Sequence, residues 1–171
     1  DALIRGGVPV EYEAVTGPDA GKKVTERLKV IDFDNPAAQA GCNEYLAVTQ
    51  LWVRGEKGYR RPDMLLYVNG LPLVFIELKA VYRNIRAGFD GNLTDYLNEH
   101  SIAQAFHHNA FLLVSNGDQA RYGSITSKWE HFVEWKRNAE KDKARLDAEA
   151  LLDGMLTKER LLDLVENFLL F

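Results

Sequence analysis

Asp63, Glu77 and Lys79 are the residues of this chain whose types and spacing could do chemistry. Two carboxylates with a lysine beside them can hold a hard divalent cation through oxygen and set an ammonium group next to it. Glu77 and Lys79 are two positions apart, so a β-strand would put both on one face. The run that carries Glu77, LPLVFIEL from Leu71 to Leu78, is apolar on both faces and reads as a strand in the middle of a sheet. Ionised groups in such a strand are costly unless they are paired or bind a metal. Asp63 follows Pro62 at the far end of a partner run, Met64 to Val68, and Asn69-Gly70 between the two runs is the strongest short-range signal for a hairpin turn.

Pro62-Asp63 and Glu77-Leu78-Lys79 resemble the PD and ExK parts of the PD-(D/E)XK nuclease motif. That motif alone is short. The longer string from Arg60 to Lys79, RRPDMLLYVNGLPLVFIELK, is more specific and is similar to the endonuclease domain of the R subunit of type I restriction-modification enzymes. Further matches lie at Asn92-Leu93-Thr94-Asp95-Tyr96, in FLLVSNG (Phe111 to Gly117), and in RYGS (Arg121 to Ser124) leading to WEHFVEWKR (Trp129 to Arg137). The resemblance covers roughly residues 24–171.

The resemblance implies an α/β, restriction-endonuclease-like fold with a central mixed sheet flanked by helices. It implies Mg²⁺, with Mn²⁺ as a substitute, held by Asp63, Glu77 and the main-chain carbonyl of Leu78. Lys79 would orient the attacking water or hydroxide, or stabilise charge on the pentavalent phosphorus; a direct proton-transfer role stays open. Asn92 and Tyr96 match the family's accessory Q-x-x-x-Y element, with asparagine where glutamine is usual. The family's further acidic residue, from a helix ahead of the first strand, has no counterpart here and is expected upstream of Asp1. The implied activity is non-specific hydrolysis of duplex DNA. Sequence choice and methylation would belong to partner subunits, and ATP-driven translocation to motor domains outside this chain.

Register supplies a test. With a strict two-residue loop at Asn69-Gly70, residue 68 faces 71 and Asp63 faces Ile76, so Asp63 and Glu77 point to opposite sides of the sheet. The catalytic reading therefore requires one extra residue, in a three-residue loop or a bulge near Pro62. The competing reading of the triad is a structural ion pair of Lys79 with Glu77 or Asp63 on an edge strand.

Composition sets the bounds. The chain has 171 residues, 46% hydrophobic and 27% charged, as in an ordinary globular domain. No apolar run approaches the ~20 residues that cross a bilayer, and no signal peptide is visible. The single cysteine, Cys42, excludes an internal disulfide and fits a reducing, cytoplasmic setting. A net charge of −4 argues against a free-standing nucleic-acid binder. Positive charge is nevertheless concentrated from Arg54 to Arg86, and Arg60, Arg61, Arg83 and Arg86 are the candidate contacts to DNA; a solvated basic face is the alternative. The chain opens on Asp1 without a methionine and closes on NFLLF, which reads as a piece cut from something longer.

The expected organisation is a nuclease domain over 1–137, with 1–23 peripheral or irregular, and a helical segment over 138–171 leading toward motor domains. Strands are expected at 24–33, 44–53, the hairpin, 110–115 and 120–123. Helices are expected over 92–99, from the capping boxes at Ser101 and Ser127, and at the C-terminus on a face of Leu161, Leu164, Val165 and Phe168. GPDAGK (Gly17 to Lys22) departs from a phosphate-binding loop and reads as an exposed turn. His100, His107 and His108 lack partners at zinc-like spacing, and Ser115 and Ser124 lack a nucleophile context. Two other functions compete: a catalytically silent nuclease-like module that docks a motor onto its partners, and a stand-alone repair nuclease.

Overall fold

Asn69 and Gly70 both lie in the left-handed region, with φ of 49° and 81°, the backbone that a two-residue type I′ loop demands. In the computed structural model, which describes residues 6–36, 43–136 and 145–168, they join β6 (Met64–Val68) to β7 (Leu71–Leu78). Val68 faces Leu71 and Tyr67 faces Pro72, but Leu66 then faces Val74. Leu73 is the odd residue, and the ladder bulges around it. Pro72 brings no N–H to the ladder, and the irregularity follows directly after it. Beyond the bulge, Leu65 faces Phe75 and Met64 faces Ile76. One step further, Asp63 comes opposite Glu77. The required extra residue is present, but in mid-hairpin rather than in the loop or near Pro62.

Five strands make the main sheet, in the order β3 (Tyr45–Thr49), β6, β7, β8 (Phe111–Ser115) and β9 (Ala120–Gly123). Only β7 and β8 run parallel, so the sheet is mixed and β7 is its middle strand. A parallel pair needs a long crossover. Here it contains a π-helical turn (Gly88–Leu93) running into a short α1 (Thr94–Tyr96), then a 3₁₀ turn (Ala103–Phe106). These lie over one face of the sheet, where Leu93, Tyr96, Ile102 and Phe106 are buried with Leu65, Phe75, Leu112 and Val114. On the other face, Ile76, Leu78 and Leu113 line an open apolar pocket of about 340 Å³ with Leu151 and Leu152 of α2 (Asp147–Met155). Helical elements on both faces of a mixed sheet make the unit α/β.

The chain divides into two compact units, residues 44–161 and residues 1–43 with 162–171. In the second, β1 (Val8–Glu13) pairs antiparallel with β2 (Lys23–Leu28), and the GPDAGK stretch turns between them. β1 puts a paired strand inside the stretch expected to be peripheral or irregular; its charges and Pro9 hide the strand pattern. α3 (Lys158–Asn167) buries Leu161, Leu162 and Val165, whereas Phe168 is exposed. A small hairpin, β4 (Val53–Gly55) and β5 (Gly58–Arg60), occupies the turn-rich RGEKGY. Among the described residues, no helix is long and apolar enough to cross a membrane.

The two capping boxes do not open α-helices. Trp129–His131 forms a single 3₁₀ turn, after which Val133 pairs with Tyr122 as an isolated bridge. Trp129 and Phe132 stack on each other, with Phe89 tilted to the first ring and edge-on to the second, and this aromatic packing overrides the local helix signal. Ser127 bonds Ser124 instead of capping. The charged stretch 138–146 lies for the most part outside the described residues.

Candidate active site

Three elements converge on the face of β7 that carries Glu77 and Lys79. The residue before β6 contributes Asp63, the end of β7 contributes Glu77 to Lys79, and the π-helical turn contributes Asn92. Asp63 is fixed at both oxygens: Oδ2 accepts the Leu78 N–H at 2.8 Å and Oδ1 accepts the Gln50 side-chain amide at 2.8 Å. In an extended strand a residue's N–H and C=O leave by the same edge, so the Leu78 carbonyl leaves β7 toward Asp63 as well.

Glu77 is 2% exposed. Its Oε1 accepts from Lys79 Nζ at 2.8 Å, while Oε2 is buried with no hydrogen-bond partner. Burial pushes its carboxyl up to about 7; the Lys79 hydrogen bond opposes the rise and the nearby Asp63 charge adds to it. Lys79 Nζ also donates to Asn92 Oδ1 at 3.1 Å, and Asn92 Nδ2 points at the Tyr96 hydroxyl at 3.3 Å. Burial, first of all, raises the Tyr96 phenol, and the Glu77 and Asp63 charges act in the same direction. Asparagine therefore reaches the lysine despite its shorter side chain.

The helical turn packs on this face at Gly88, where a Cβ would meet Glu77 Cγ and Lys79 Cε at 3.4 Å, ordinary van der Waals contact. The π-helical turn that starts at Gly88 carries Asn92 over the strand end, and such turns are common at functional sites.

The candidate DNA contacts are placed differently from one another. Arg60 forks onto both carboxylate oxygens of Asp95, Nη2 at 3.1 Å, and holds that carboxyl below its usual range. Arg86 pairs with Asp90 at 3.0 Å. Arg61 lies over the exposed Trp52 ring at 5.3 Å, and Arg83 over the exposed Tyr82 ring at 5.9 Å. His107 and His108 are exposed, and His100 bonds Glu56 at 2.7 Å. Among the described residues, no three His, Cys, Asp or Glu side chains gather as a metal-holding group.

Sequence reasoning missed Gln50 and Asp95. A polar residue at the end of a strand and an acid on a helix carry no pattern of their own; only the folded register brings each to its partner.

Comparison with known proteins agrees with the sequence resemblance. The family model described as "Type I restriction enzyme R protein N terminus" matches residues 2–131. The type I restriction enzyme HindI endonuclease subunit of Haemophilus influenzae is 38% identical over 178 residues, covering 99% of this chain and 16% of that protein. A protein of Methanocaldococcus jannaschii, assigned as the type I restriction enzyme MjaIXP endonuclease subunit, is 28% identical over 195 residues, covering 98% of this chain and 17% of the relative. The chain spans about a sixth of the length of these relatives.

Proposed function

The chain belongs to the family of type I restriction enzyme R protein N termini, and from that premise we propose that it carries a metal-dependent endonuclease of the PD-(D/E)XK class. The observation that carries the proposal is the bulge at Leu73, which turns Asp63 and Glu77 to one face beside Lys79. Hydrolysis of a phosphodiester needs an activated water, relief of charge on the phosphate, and an alcohol that can leave.

Asp63, Glu77 and the Leu78 carbonyl would hold Mg²⁺, with Mn²⁺ as a substitute. The donor set fits: all are hard oxygens, and Glu77 Oε2 is a buried acceptor that lacks a partner. When bound, the ion would lower the pKa of water and draw charge from the phosphate. Asp63 is already oriented by two donors, so it would take up the ion without reorganising. Lys79 presents its ammonium between Glu77 and Asn92, where it can orient a water for attack or stabilise charge on the phosphoryl oxygens. As water adds to phosphorus, the bond to the leaving sugar oxygen breaks and that oxygen takes up a proton. Asn92 fixes the lysine, and Tyr96 supports Asn92.

Duplex DNA would be the substrate, cut without sequence readout after ATP-driven translocation by motor domains beyond this chain. Methylation and specificity subunits would complete a cytoplasmic restriction complex. The test is plasmid cleavage by the assembled enzyme with Lys79→Ala or Glu77→Ala in the subunit that carries this chain. ATP hydrolysis should persist while cleavage is lost. Cleavage at the wild-type rate would leave the triad as a structural ion pair and favour the silent docking module.

A further inference from the structure

Gln50 is an exposed, non-glycine residue in the left-handed region, with φ of 55°. L-residues avoid that region because Cβ crowds the following carbonyl, and where they are held there the surroundings must over-determine it. Burial offsets nothing at an exposed side chain. What the conformation achieves is contact with one residue, twice: the Gln50 N–H donates to the Asp63 carbonyl at 3.0 Å, and its side-chain Nε2 donates to Asp63 Oδ1 at 2.8 Å. The main-chain bond follows on from the pairing of Thr49 with Met64 at the end of β3. The left-handed turn then lets the same residue bring its amide back onto the carboxylate.

We propose that Gln50 is the positioning residue of the metal site, clamping Asp63 so that its free lone pairs face Glu77. The inference rests on the reading of Asp63 as a metal ligand. A carboxylate offers about four acceptor positions. The Leu78 N–H occupies one on Oδ2 and the Gln50 amide one on Oδ1, which pins rotation about the Cβ–Cγ bond and leaves acceptor capacity on each oxygen. With Gln50 removed, only the Leu78 bond remains and the carboxylate can swing. Groups that hold a metal ligand in place contribute ~10–100-fold to metal affinity when lost.

The backbone strain makes the test selective. Gln50→Gly keeps the main-chain bond to Asp63 and relieves the strained φ, while removing the amide. Gln50→Asn tolerates the conformation but is one methylene short. Mn²⁺ binding to the 171-residue chain, read from the free-ion signal in electron paramagnetic resonance, should weaken by ~10-fold or more in both variants, with the urea midpoint unchanged or raised in Gln50→Gly. Affinity within twofold of wild type in both would overturn the proposal, as would a fall in the urea midpoint of both variants that parallels the lost affinity. Asp63→Ala is measured alongside. If it binds Mn²⁺ as wild type does, or wild type binds none, the metal-site reading fails and takes this proposal with it; if it abolishes binding while the Gln50 variants do not weaken it, only the role of Gln50 falls.

Discussion

The carboxylate of Asp63 accepts the Leu78 N–H at 2.8 Å, so a side chain continues the β6–β7 ladder beyond its last main-chain pair, Met64 with Ile76. The residue proposed to bind metal is therefore also part of the sheet.

Two substitutions at Asp63 should separate those roles. Asp63→Ala leaves the Leu78 N–H and the Gln50 amide without their acceptor and should cost about 1–3 kcal/mol of stability. Asp63→Asn keeps an oxygen for Leu78 and should cost less than about 1 kcal/mol, while weakening Mn²⁺ binding as strongly as alanine does. Urea denaturation alongside metal titration reads both effects.

Glu77 gives the metal-free protein a pH dependence of definite sign. Its folded carboxyl titrates at about 7, against 4.5 for the ordinary group. Between those values the folded state keeps the proton that the unfolded state has lost. The stability this provides is fully present below 4.5 and is lost as pH rises through 7. The shift corresponds to something on the order of 3 kcal/mol. Denaturation midpoints from pH 4.5 to 8 should fall in wild type by more than in Glu77→Gln, whose side chain does not titrate. Added Mn²⁺ should reverse the trend, because the ion competes with the proton for Glu77; equal slopes in the two proteins would contradict the assignment.

Lys79 opposes the effect of burial on Glu77. Lys79→Met should push the Glu77 titration above 7, and the carboxyl carbon shift in nuclear magnetic resonance would report it. An unmoved titration would mean that the ion pair is not maintained in solution.

The acidic partners of the basic residues should hold back DNA binding. With a net charge of −4, and with Arg60 and Arg86 engaged by Asp95 and Asp90, the chain alone should bind duplex weakly at physiological salt. Asp95→Asn and Asp90→Asn release one arginine each. Each should tighten binding at low salt and steepen the slope of log affinity against log salt by about 0.9. Tight, steeply salt-dependent binding by wild type would favour a stand-alone nuclease instead.

The hairpin was legible in the sequence because its signals are local: a left-handed turn at Asn69-Gly70 between two apolar runs. The need for an extra residue was legible too, since it follows from counting. Its place at Leu73 was not, although Pro72 marks a break in the ladder. The helices expected at Ser101 and Ser127 failed for a tertiary reason, as Phe106 stacks on Phe75 and Trp129 on Phe132. The motif singled out Asn92 and Tyr96, which the structure joins to each other and to Lys79, whereas the Gln50–Asp63 and Arg60–Asp95 contacts exist only once distant segments meet.

The bulge at Leu73 also imposes a parity rule on the motif. Asp63 and Glu77 are an even number of positions apart, and across a two-residue loop an even separation puts two side chains on opposite faces unless one residue is skipped. A relative one residue shorter between its acids, with a regular ladder, would present the same pair of carboxylates. A relative of equal spacing but without an irregularity would not. With the bulge kept, a single insertion or deletion in this hairpin would therefore send one carboxylate to the other face, whereas one residue added to each arm would leave the two opposed.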